Sequence, residues 1–139
     1  MEQASMQGVI IMAYIAKEND MVKTIGVWAF ILGVIIALLI GVAAAFMQLD
    51  TGTIGMISAF MVLLGLIVGI LNITEAEVSG FIIAAIGLTS GSIAIAGMGP
   101  LLPPTMGQMV TTAFSIFGLF VAGAVFIPAL KAVYRISKN

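Results

Sequence analysis

From Ile25 to Ile127 the chain runs for more than a hundred residues with only three charged side chains, Asp50, Glu75 and Glu77. All three fall in breaks between apolar runs, and the stretch holds no Lys, Arg, His or Cys. An ionised side chain at mid-bilayer costs roughly 2.5–3.5 kcal/mol on insertion scales, so lipid is the solvent that selects for such a pattern. A soluble domain would need about a quarter of its residues charged, against 8% here, with 62% hydrophobic. The expected fold class is therefore an all-α integral membrane protein.

A spanning helix needs about 20 apolar residues. Four candidates meet that requirement, at about 21–47, 53–71, 75–96 and 106–130, the last with a helical extension to 136. Together they form one membrane domain over residues 1–139, expected as a compact four-helix bundle. Upstream, Val9–Ala16 is too short to span and is cut off by Lys17-Glu18-Asn19-Asp20. Residues 5–16 are therefore expected as a short interfacial helix, with Asp20 capping the first span. Glu2 precedes any basic residue, so the N-terminus lacks the pattern of a cleaved signal.

Two later helix starts carry capping signatures. Thr74-Glu75-Ala76-Glu77 is a capping box, in which the Thr74 hydroxyl accepts from the Glu77 amide and the Glu77 carboxylate reaches back. Thr105-Met106-Gly107-Gln108 repeats it in a weaker form, making Thr105 a candidate cap. These motifs set boundaries and carry no chemistry.

All five basic residues lie near the termini: Lys17 and Lys23 before the first span, and Lys131, Arg135 and Lys138 after the fourth. An even number of spans puts both ends on one side, which the positive-inside rule makes cytoplasmic. The expected location is the cytoplasmic membrane, and no basic stripe suits nucleic acid.

Small residues recur at helical spacing on every span. The first reads Ala29, Gly33, Ala37, Gly41, Ala45 at strict four-residue intervals, and the second has Gly55, Ser58, Gly65 and Gly69 on one stripe, the last two in a GxxxG. The third has Gly80, Ala84, Gly87, Gly91 and Ala94, and the fourth Ser115, Gly118, Ala122 and Ala129. In lipid, helices associate through such close backbone approach. The ridges either face the centre of one bundle or, for the first span most readily, meet another subunit.

No site for a reaction stands out. Proton-coupled exporters and rotary proteolipids need an intramembrane carboxylate, and quinone–thiol proteins need Cys. The hydroxyls Ser90, Ser92, Thr111 and Ser115 could line a narrow path, though such groups more commonly bond a carbonyl one turn back. Met47, Met56, Met98, Met106 and Met109 could suit Cu(I), but thioethers are also ordinary fillers and no His or Cys supports them. No cofactor or metal is expected.

The segment Leu66–Val78 (LIVGILNITEAEV), running into Phe81–Ile86, resembles a turn in small uncharacterised multi-span membrane proteins of archaea and related prokaryotes. The resemblance implies a prokaryotic membrane origin and no particular activity. The chain is thus expected to be a non-enzymatic structural protein, self-associating in the membrane through its small-residue faces. An accessory subunit of a larger membrane enzyme or transporter and a pore or holin-like channel are the alternatives.

Overall fold

The computed structural model describes residues 1–72 and 78–138. Four α-helices account for nearly all of them: α1 Glu2–Met47, α2 Thr51–Asn72, α3 Val78–Gly97 and α4 Pro104–Ser137, with a 3-10 turn at Gly99–Leu101. No strand occurs among the described residues. Each helix is long and apolar enough to cross a membrane.

The first helix departs from expectation. Residues 5–16 are helical but not separate; α1 is one helix of 46 residues, about 69 Å at 1.5 Å per residue. Lys17-Glu18-Asn19-Asp20 is polar but has no Pro or Gly, so nothing in it stops an α-helix. Asp20 is consequently interior rather than a cap, and its carbonyl accepts from the Thr24 hydroxyl at 2.8 Å. Residues 1–25 are all exposed, so the N-terminal half of α1 projects beyond the packed part of the molecule.

The junctions have local causes. Gln48 closes α1 in the left-handed conformation, with φ 47°. Two residues later Asp50 caps α2: its carboxylate accepts from the Thr53 amide at 3.0 Å and the Thr53 hydroxyl at 2.6 Å. These bonds hold the Asp50 carboxyl below the ordinary carboxylate range. α2 therefore starts two residues earlier than its apolar run suggests. Thr105 does not cap α4, which begins one residue before it on Pro104, with Pro103 extended at the N-cap and no side-chain cap bond. Proline at the first helical position gives up an amide that has no intrahelical partner anyway. The expected caps Thr74 and Glu77 lie outside the described residues.

The helices do not surround a common centre. α4 is the hub: α1, α2 and α3 each pack on it, and α1 and α2 also touch each other. Among the described residues α3 contacts only α4 and the 99–101 turn. The expected compact bundle is therefore a three-helix unit of α1, α2 and α4, with α3 attached to a separate face of α4. The hydrophobic core is built on Phe120, Ile116 and Val121 of α4, joined by Ala37 of α1, Met61 and Val68 of α2 and Ala85 of α3. The Phe30 and Phe120 rings meet with centroids 5.6 Å apart.

Close contacts also set the register. α1 runs antiparallel to α4, with Gly33 against Phe120 and Gly41 against Ala113. α2 runs parallel, with Gly65 at Phe120 and Gly69 at Ala124, and α3 antiparallel, with Ser92 at Gly118. Extending these pairings brings Ile25, Asn72, Val78 and Pro128 to one level, within about a turn. The uncharged stretches of all four helices thus end in a common plane. Along α1 that plane lies about 33 Å from Met47, at 1.5 Å per residue.

Candidate helix-packing and assembly surface

A glycine is most telling where a Cβ would collide, because there its absence sets the helix separation. On α1 a Cβ at Gly33 would enter the Phe120 ring and one at Gly41 would strike the Cβ and backbone of Ala113. Ala37 and Ala45 are buried on the same stripe, and Ala29 packs against the core. On α2 a Cβ at Gly65 would meet the Phe120 carbonyl, and one at Gly69 the Ala124 carbonyl. These seven residues of α1 and α2 therefore pack helices within the chain, whereas Gly55, expected on the same α2 stripe, is exposed with nothing within 4 Å of a Cβ. α4 fills the α1 ridge that was the leading candidate for another subunit.

The matching gaps on α4 were not legible as a stripe. Gly107 meets Gly99, Gly118 meets the Ser92 hydroxyl, and Gly123 meets the Val62 carbonyl. These three share no four-residue spacing because they serve different neighbours. Of the expected α4 stripe, Gly118 is buried, Ala129 is half-buried, and Ser115 and Ala122 are exposed.

α3 differs in kind. Its inner side buries Val78, Ala85 and Ser92. Gly80, Ala84, Gly87 and Ala94 are exposed and Gly91 half-buried. A Cβ at Gly80, Gly87 or Gly91 would meet nothing within 4 Å. Large apolar side chains are exposed beside this small stripe, among them Ile83, Ile86 and Ile93, and on the outer face of α1, such as Ile31, Ile35, Leu39 and Phe46. Phe60, Leu63 and Ile67 are likewise exposed on α2.

The hydroxyls expected to line a path are not gathered in one. Ser92 is 2% exposed and donates to the Thr89 carbonyl at 2.8 Å. Thr111 donates to the Ala96 carbonyl at 3.1 Å, tying α4 to the end of α3. Ser90 and Ser115 are exposed. Two residues apart on α3, Ser90 and Ser92 point to nearly opposite sides.

Polar contacts hold the far end together. The Gln108 side-chain amide donates to the Ala44 carbonyl at 3.3 Å, which joins α4 to α1. An open cleft of about 380 Å³ lies beside it, lined by Gly99, Pro100, Leu102, Pro104, Gly107, Gln108, Thr111 and Thr112. Its lining holds no charged group. Among the described residues no three His, Cys, Asp or Glu side chains cluster. No family model, curated protein or solved structure matches the chain.

Proposed function

We propose that this chain is a four-span protein of the cytoplasmic membrane, with both termini cytoplasmic, that acts structurally rather than as an enzyme. In this reading copies associate through the outer side of α3. The observation that carries it is the contrast among glycines. Gly33 and Gly41 of α1 and Gly65 and Gly69 of α2 are filled by α4, whereas Gly80, Gly87 and Gly91 of α3 face open space. Small residues in membrane helices mark contact with another helix, because lipid offers no reason to forgo a large apolar side chain. The matching levels of the four uncharged stretches support the spanning arrangement, and the terminal placement of every Lys and Arg supports the orientation.

The spacing suggests a geometry. Gly80, Gly87 and Ala94 are seven apart, as are Ala84 and Gly91, the repeat that favours a left-handed pair crossing near +20°. Copies inserted with one topology are related by an axis along the membrane normal, so their α3 helices pair parallel.

The test is particle mass by light scattering in gentle detergent. The wild type is expected as a homogeneous oligomer, and Gly87→Leu with Gly91→Leu as a folded monomer. A monomeric wild type, or an oligomer unaltered by the double substitution, refutes the reading. Recovery of the chain bound to different membrane subunits instead of its own copies assigns α3 to an accessory role.

A further inference from the structure

α4 does not stop at the plane where α2 ends and α3 begins. Its register puts Pro128 at that level, and the helix continues to Ser137. Lys131, Arg135 and Lys138 follow at intervals of four and three residues, which places the three cations on one face. All three are exposed. No Asp or Glu occurs anywhere from Pro104 to Asn139, and none of the three makes an ion pair among the described residues.

α1 passes the same level with Lys17, Glu18, Asp20 and Lys23, whose signs are mixed and whose spacing scatters them around the helix. Among the described residues only α4 presents a stripe of one sign. Val133 and Ile136, 64% and 77% exposed, occupy its other side, so the tail is apolar on one side and cationic on the other. From Lys131 to Lys138 is about 10 Å along the axis, comparable to the ~5–7 Å headgroup layer plus the reach of a lysine.

We propose that this stripe binds the headgroup phosphates of anionic phospholipids in the membrane that the helices cross. Charge complementarity and depth single out that partner: three cations that make no ion pair among the described residues begin where the uncharged stretch ends. A lysine or arginine near an anionic bilayer surface strengthens association by about five-fold. The inference rests on the spanning arrangement and is independent of pairing through α3.

The experiment uses the full chain in phosphatidylcholine vesicles with spin-labelled phosphatidylglycerol or spin-labelled phosphatidylcholine, comparing the motionally restricted fractions. The wild type is expected to favour the glycerol lipid several-fold. The triple variant Lys131→Gln, Arg135→Gln, Lys138→Gln is expected to bring the ratio to about one, with each single variant between. Arg135→Lys and Lys17→Gln should leave it unchanged, and thermal unfolding checks that every variant is folded. A wild-type ratio of one, or a preference that survives the triple variant, overturns the proposal. So does displacement of phosphatidylglycerol by millimolar inorganic phosphate, which would mark a small-anion site. Loss of oligomeric mass with an unchanged lipid ratio would reassign the stripe to protein contact and likewise overturn it.

Discussion

The contrast between filled and open glycines can be tested with one methyl group. In Gly65→Ala the new Cβ would strike the Phe120 carbonyl oxygen, with the Ala124 nitrogen at 2.9 Å and the Phe120 carbonyl carbon at 3.1 Å. All three are backbone atoms of α4, so no side chain can turn away. Relief requires α2 to retreat by about 1 Å, and a gap of that size forfeits a quarter to a half of each neighbouring dispersion contact. Overpacking of this kind costs about 1–3 kcal/mol, offset by about 0.8–1 kcal/mol for alanine over glycine in a helix. The net runs from about zero to a loss of about 2 kcal/mol. Gly87→Ala meets nothing within 4 Å and keeps only the propensity gain, up to about 1 kcal/mol. Reversible unfolding in mixed micelles, at a dilution where the protein is monomeric, measures both. Gly65→Ala should therefore be about 1–3 kcal/mol less stable than Gly87→Ala, and equal stability of the two variants would refute the reasoning.

Three further substitutions probe the hub and the junctions. Phe120→Ala, at a side chain with no exposed surface, should cost about 3–5 kcal/mol in the same unfolding assay. Thr111→Val leaves the Ala96 carbonyl without the 3.1 Å bond and should cost about 0.6 kcal/mol, a typical value for a hydrogen bond between membrane helices. The Asp50 carboxyl is lowered from 3.8 by its bonds to Thr53. Its contribution is therefore present above the unfolded value and lost as pH falls through the folded one. Acid unfolding curves of wild type and Asp50→Asn should differ above about pH 4 and converge below it.

What the residues revealed in advance, and what they hid, divides along physical lines. The four long apolar helices were legible because exclusion of charge from an apolar solvent acts on every residue separately. The continuity of α1 was not, because a polar tetrad marks a change of solvent, whereas only Pro, Gly or a cap marks the end of a helix. Asp20 and Thr105 look like caps in isolation. One sits downstream of a helix already formed, and the other follows a proline that starts the helix sooner. Asp50, by contrast, is a cap because Gln48 has ended α1 and Thr53 lies three residues on. The ridges were legible as ridges, but not their partners. Those of α1 and α3 look alike in sequence, and only the position of α4 shows that one is filled and the other open.

That distinction bears on the channel alternative. Within one copy Ser90 and Ser92 cannot share a lumen, since Ser92 is buried against Gly118 and Ser90 lies on the outer half of α3. An aqueous path, if copies form one, would run between them and be lined by Ser90, beside Gly87 and Gly91. Ser90→Leu should then abolish ion flux from reconstituted vesicles while leaving the unfolding midpoint in place. Ser92→Leu acts differently: its side chain would press on Gly118 and separate α3 from α4, lowering stability whether or not there is flux. If Ser92→Leu blocks flux without loss of stability, or Ser90→Leu destabilises the monomer, the assignment of inner and outer sides of α3 is wrong. Flux unaffected by Ser90→Leu removes the path between copies and leaves α3 a contact surface alone.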